Sequence, residues 1–305
     1  MKRFISHTKV TLPIACLFLA LTGSAQSSNL IDSTLHNQDY AEAMKNTEFE
    51  KFLIRYATHY PSATIVSATQ IAEKSLSETC LDLSFEKAEC YIKLNANNIE
   101  NLLTEVAISK LKLSKDTENR LDVVDQELTM SGVANIGDKY TRFIQFSKDE
   151  LLSHSQPTST LSNDGTKLKI NTFDSALGCI DTKHITSAET VEQLDLRDNN
   201  GGDIKCTLET LSKFLPAGNH HVATVYTIRG EEDLWVTGQL PPNNNSKELK
   251  VNKNTASSAE IFAIALERSG WKVDGLPMMN KRSIQARFET NFGYYHLTIG
   301  KFSPM

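Results

Sequence analysis

Val251–Glu267 reads VNKNTASSAEIFAIALE, a strand-like start that runs through small residues into a helical pattern. The text leading into it, ELKVNK at 248–253, is strand-like, whereas Ile261, Phe262, Ala265 and Leu266 fall on helical spacing. A Ser/Thr-rich start with Glu260 in the first turn has the chemistry of a helix N-terminus. A strand that feeds straight into a helix is a building unit of an α/β core. Such a junction is also where a hydroxyl can stand exposed beside the free N–H groups of a helix start, which suit a developing oxyanion. Taken alone, these serines read as helix caps, a common role for Ser and Thr at that position.

Outward from this junction the same grammar continues. Upstream, QLDLR at 193–197 reads as a short strand ending in the glycine turn NNGG. CTLETLSKFL at 206–215 reads as a helix, HVATVYTIR at 221–229 as a strand and EEDLWVTG at 231–238 as its hairpin partner. TKLKINTF at 166–173 alternates as a strand, and the polar, turn-rich SHSQPTSTLSNDGTK at 153–167 reads as a surface loop. Downstream, KVDGLPMMNKRSIQARFE at 272–289 is a short strand, a turn carrying Lys281 and a second strand, with YYHLTIGKF as a last strand. Strands alternating with helices over residues 136–305 predict an α/β core. From Asp39 to Asn135 the apolar spacing is helical, as in EFEKFLIRYATHY, NNIENLLTEVAISKLKL and NRLDVVDQELTMSGVAN. Residues 26–135 are therefore expected to form a helical N-terminal region.

The chain opens with the basic MKRFISHTKV, the apolar run LPIACLFLALTG and the small residues SAQSS, the layout of a secretory signal peptide. Leu12–Leu21 is too short to span a bilayer comfortably. Gly23 and Ala25 are the small residues of a cleavage site, which puts cleavage after Ala25 and makes residues 1–25 the signal. Cys16 lies inside the apolar core of that signal, a poor fit to a lipid anchor. No later segment is apolar enough to cross a membrane, so the mature chain is expected in the periplasm or secreted, without a membrane anchor. A net charge of −5 with no basic cluster gives no electrostatic case for nucleic acid. Four cysteines remain after the signal: Cys80, Cys90, Cys179 and Cys206. An even count in an exported chain favours disulfides, and no CxxC pair or nearby histidine spacing argues for a metal. Three pairings are possible, and Cys80–Cys90 with Cys179–Cys206 is preferred because each pair is close in sequence.

Four segments in order then resemble the C-terminal processing, or tail-specific, peptidases of family S41. TASSAEI at 255–261 is similar to that family's TASASEI, and NKRSIQ at 280–285 to its GKGSVQ. LDLRDNNGG at 194–202 is similar to LDLRNNPGG, and GDKYTRFI to DPYTRFL. The resemblance covers residues 120 to 302 and leaves most of the helical region outside. It implies a ClpP/crotonase-like peptidase core, Ser257 as nucleophile, Lys281 as general base and Gln285 as a residue that positions the lysine. It also implies an oxyanion hole from the backbone N–H groups of Ser258 and of Gly201 or Gly202, a polypeptide substrate, and no metal or organic cofactor. A lysine base must be neutral, and the apolar Leu276, Pro277, Met278 and Met279 are compatible with the burial that would require. The expected activity is that of a serine-type endopeptidase.

This chain departs from the family in several places. Ser258 and Ala259 stand where Ala and Ser are usual, which makes Ser258 a fallback nucleophile. Arg268 stands where many relatives carry an acid eleven residues after the serine. Asn280 and Arg282 replace the two glycines that flank the lysine. Relatives commonly insert a PDZ domain of about 80 to 90 residues, an ordinary domain size, after DPYTRFL, and residues 144–166 leave no room for one. His184, His220 and His221 could in principle join a serine triad, but none stands in a recognisable pattern. These departures motivate an alternative, a non-catalytic protein- or ligand-binding module on a degenerate peptidase fold.

Overall fold

The computed structural model describes residues 47–83, 90–116, 121–146, 157–175, 179–180, 188–241 and 247–305. The signal segment 1–25, with Cys16, and His184 lie outside the described residues.

The helical region contains α1 (Glu48–His59), α2 (Ile65–Asp82), α3 (Ile99–Asp116) and α4 (Leu121–Asn135). Thr47 precedes α1 but makes no side-chain cap bond. The orphan N–H groups of Glu48 and Phe49 instead donate to the Asp125 carboxylate on α4, at 2.7 and 3.2 Å. Lys110 on α3 is fully buried, and its Nζ donates to Thr47 Oγ1 and to both oxygens of Glu50. Capping and charge pairing thus tie three helices at one point. Thr64 and Ser67 form a capping box at the start of α2.

After α4 come β1 (Arg142–Gln145), β2 (Ser159–Leu161), β3 (Lys167–Ile170), β4 (Gln193–Asp195) and α5 (Ile204–Leu211). There follow β5 (Gly218–Thr227), β6 (Gly230–Gly238), β7 (Glu248–Lys250), α6 (Ser258–Arg268), β8 (Lys272–Asp274), β9 (Ser283–Glu289) and β10 (Gly293–Pro304). They build two five-stranded sheets. One has the order β2-β3-β4-β7-β8, antiparallel at β2–β3 and parallel from β3 to β8. The other is antiparallel and centred on β10, which pairs with β1, β5 and β9, while β6 pairs with β5.

The strand β2 corrects the expectation of a loop over 153–167. Asn163–Gly165 makes a tight turn, with Gly165 at φ 72 and its N–H donating to the Ser162 carbonyl at 2.9 Å, and so folds β2 back on β3. Two cores result. One lies between the parallel sheet, α5, α6 and the β5–β6 hairpin, with Phe173, Phe214 and Phe262 fully buried. The other lies between the four helices and one face of the antiparallel sheet, where Tyr295 and Leu297 of β10 are fully buried with Phe49 and Phe52.

Candidate functional site

Three neighbouring parallel strands, β4, β7 and β8, end on the same side of their sheet, and each leads into a loop that carries part of the site. Crevices at the carboxyl ends of parallel strands are the usual place for a site in such sheets. β4 leads to Gly201 and Gly202, β7 to Ser257, and β8 to Lys281. Three of the four segments separated in sequence are thus neighbours because of strand order, while the fourth leads into β1 of the other sheet.

The loops are stitched together by Asn199, which is fully buried. Its carbonyl accepts from the Ala256 N–H at 2.9 Å, its side-chain amide donates to the Ile170 carbonyl at 3.1 Å, and its Oδ1 accepts from the Gly201 N–H at 2.8 Å. Thr255 Oγ1 donates to the Leu196 carbonyl at 2.9 Å. Gly201, at φ 94, packs so tightly on the serine loop that an added Cβ would lie 2.8 Å from the Ala256 carbonyl oxygen and from Ser257 Cβ. Only glycine fits there.

Ser257 precedes α6 with φ 58 and ψ −127, and its hydroxyl makes no cap bond. The capping expectation fails at this residue: the backbone is held in a region that a non-glycine residue rarely occupies, and the side chain is left half-buried and unengaged. Ser258, by contrast, is buried, and its hydroxyl donates to the Gly202 carbonyl at 3.3 Å. Among the described residues the N–H groups of Ser258 and Gly202 have no acceptor, whereas that of Gly201 is taken by Asn199.

Lys281 follows Asn280, whose φ of 59 explains why a residue other than glycine is tolerated, since Asn adopts the left-handed region more readily than most. Burial, assisted by the neighbouring charge of Arg142, holds the Lys281 amine below its ordinary pKa. Its Nζ lies 5.1 Å from the centroid of the Tyr140 ring, and no hydrogen bond joins it to Ser257 among the described residues. Glu260, fully buried on α6, accepts the Lys281 backbone N–H at 3.1 Å and pairs with Arg282 at 2.8 Å. Burial pushes the Glu260 carboxyl up, opposed by those same partners. Arg282, the second departure from the family's glycines, thus anchors the lysine loop. The Met279 N–H adds a bond to the Thr255 carbonyl at 3.0 Å. Arg268 is exposed in the last turn of α6, where a cation suits the helix C-terminus.

Lys281, Gln285 and Ala256 line a cavity of about 280 Å³ together with Tyr140, Arg142 and His296. Asp138, in the loop before β1, fixes one wall. Burial acts against its charge, but hydrogen bonds from Thr298, from the Tyr140 N–H and from Thr141 hold the carboxyl below its usual range. His296 was not a candidate in the sequence. It reaches the cavity because alternate residues of β10 face opposite ways, and burial with three nearby cations pulls its pKa down to about 4. His220 and His221 lie on β5 and approach the Pro216 and Ala223 carbonyls at 2.8 and 3.0 Å. The two disulfides are Cys80–Cys90 and Cys179–Cys206, with Cα–Cα separations of 5.4 and 5.3 Å.

Comparison with known proteins gives a family match and several fold likenesses. Residues 182–304 match the model of peptidase family S41. A photosystem II D1 C-terminal processing protease is 19% identical, with 48% of this chain and 40% of that one covered and a TM-score of 0.37. This chain therefore spans less than half the length of that relative. Mature CPAF is 13% identical, with 47% of this chain and 44% of that one covered and a TM-score of 0.34. A lipoprotein from Streptococcus agalactiae is 13% identical, with 86% of this chain and 85% of that one covered and a TM-score of 0.53, a likeness of fold that includes the helical region. No curated protein matches the chain.

Proposed function

From the match of residues 182–304 to the model of peptidase family S41, we propose that the chain hydrolyses polypeptides as a serine endopeptidase of that family, with Ser257 as nucleophile and Lys281 as general base. The observation that carries this reading is the state of Ser257: a half-exposed hydroxyl, free of any capping bond, on a strained strand-to-helix turn. A serine that merely capped α6 would have a β-region backbone and a bond to the first turn.

In this reading Lys281 Nζ takes the Ser257 proton as Oγ attacks the scissile carbonyl. The N–H groups of Ser258 and Gly202 receive the oxyanion, Gly201 being committed to Asn199. Nζ then protonates the leaving amine, and water hydrolyses the acyl-enzyme. A lysine base must be neutral when it acts, and burial beside Arg142 holds the Lys281 amine below its ordinary pKa, which favours that state. His296 is a poorer base because burial and nearby cations leave it with a pKa of about 4. Gln285 lines the same cavity and would orient the amine through its carbonyl oxygen, and Glu260 holds the lysine loop. In the same reading residues 136–305 are the catalytic unit and the helices α1 to α4 a layer on it, and the protein acts in the cell envelope or outside the cell after removal of residues 1–25.

A second reading, a non-catalytic polypeptide-binding module, is favoured by the position of Lys281 over the Tyr140 ring, an arrangement that suits a charged amine. Hydrolysis of casein or peptides by the purified protein, beside Ser257→Ala and Lys281→Ala, separates the two. Each substitution is expected to lower the rate by about 10³-fold or more. Hydrolysis that survives both changes would remove the dyad, and a wild-type protein that cleaves nothing would leave the binding module.

A further inference from the structure

The cavity lined by Lys281 and by Ala256, the residue before Ser257, has an excess of cations over the anions in its lining. Arg142 and Lys281 line it with Lys139, and among the described residues no Asp or Glu does. The two carboxylates nearest to Lys281 in charge are both committed elsewhere. Glu260 is held by the Lys281 N–H and Arg282, and Asp138 by Thr141, Thr298 and the Tyr140 N–H. None of the ion pairs among the described residues includes Arg142, whose side chain is exposed at the start of β1. Gln285, in the same lining, has a buried Nε2 with no acceptor. A guanidinium with a second N–H donor nearby, on an open cavity with Tyr140 and Met279 as apolar walls, matches the two oxygens and short stem of a carboxylate.

We propose that this cavity is a carboxylate-recognition subsite, in which Arg142 receives either an Asp or Glu side chain of the substrate or the substrate's own terminal carboxylate, close to the bond that Ser257 attacks. The proposal rests on the peptidase reading for its position in the reaction, but not for the binding itself. Arg142 is then a specificity determinant rather than a catalytic group. Neutral substrates of the same length would leave the guanidinium without a partner.

Four pools of labelled peptides test this: with or without internal acidic residues, each with either a free or an amidated C-terminus. Binding to the Ser257→Ala protein is measured by fluorescence polarisation, and kcat/KM is measured on the wild type. At least one carboxylate-bearing pool is expected to bind about tenfold or more tighter than the neutral amidated pool, the range of a charge-assisted hydrogen-bonded contact. Arg142→Gln, in the Ser257→Ala background for binding, should abolish the difference, and Arg142→Lys should keep part of it. A preference confined to free C-termini assigns the terminal carboxylate, and one confined to internal acids assigns the side chain. Equal binding of all four pools, or a preference that persists in Arg142→Gln, overturns the proposal. If acidic pools bind preferentially but the wild type cleaves none, the subsite stands and the peptidase reading falls.

Discussion

Lys281 is subject to opposed influences that give its titration a readable sign. Burial and Arg142 favour the neutral amine, whereas Glu260 and Asp138 favour the charged one, and the balance lies below the ordinary 10.5. A general base works only when unprotonated, so kcat/KM for a neutral, amidated peptide should rise with pH through this depressed pKa. Arg142→Gln removes a cation, favours the protonated lysine and raises the pKa, so the rising limb should move to higher pH. A pH–rate profile with the same midpoint in both proteins would show that another group titrates. At this scale, Ser257, Lys281 and Gln285, the residues proposed for the reaction, could be picked out of the sequence because each lies in a linear pattern of a few residues. Asn199, Glu260, Arg142 and His296 were not read as parts of a site, although the first three lie within the recognised segments. Their roles come from contacts between strand ends: Asn199 reaches three loops, and Glu260 reaches a lysine loop 21 residues away. The strain at Ser257 was also hidden, because a capping serine and an exposed one have the same sequence around them.

Elements show the same division. The junctions of β7 with α6 and of β4 with α5 were legible, since small residues and glycines mark where a strand must turn into a helix. The assignment of strands to two sheets was not, because periodicity reports which face of a strand is buried and not which neighbour buries it. Nor was the entry to α1 fully legible, since its first N–H groups are capped from another helix, by Asp125. The cysteines offered only a preference among three pairings, and the bond between Cys179 and Cys206 has a local consequence. Cys206 lies in the first turn of α5, four residues after Gly202, so the bond pins the helix that follows the glycine turn. Closing a loop across 27 residues constrains the unfolded chain by about 3.5 kcal/mol. The double substitution Cys179→Ala/Cys206→Ala should lower the urea midpoint by a corresponding amount. Under conditions where that protein is still folded, it should also lower kcat more than it raises KM, because the Gly202 N–H, the oxyanion donor proposed above, would be less firmly held. A loss of stability with unchanged kcat would separate the disulfide from the site.

The whole molecule is joined through β10. Tyr295 and Leu297 point into the helical layer, while the alternate residues His296 and Thr298 face the cavity and the Asp138 loop, and Phe302 enters the peptidase core. Arg55 of α1 donates to the Tyr295 hydroxyl at 3.0 Å and lies 4.7 Å from the Phe288 ring centroid, which adds a polar tie to the apolar one. A strand with one face in each core cannot lose either layer without exposing large apolar side chains, so the helices and the sheets should unfold together. Leu297→Ala tests this at a residue buried in the core on the helical side. Removing a fully buried leucine costs about 2–5 kcal/mol. The loss should appear equally in two signals: far-UV circular dichroism, weighted toward the helices, and the fluorescence of Trp235 and Trp271, both in the peptidase region. Coincident transitions in the wild type that shift together in Leu297→Ala are the expected result. A helical signal that melts first, with the tryptophan transition unmoved, would make the helical layer a separate unit, and β10 would then be no more than the surface on which it rests.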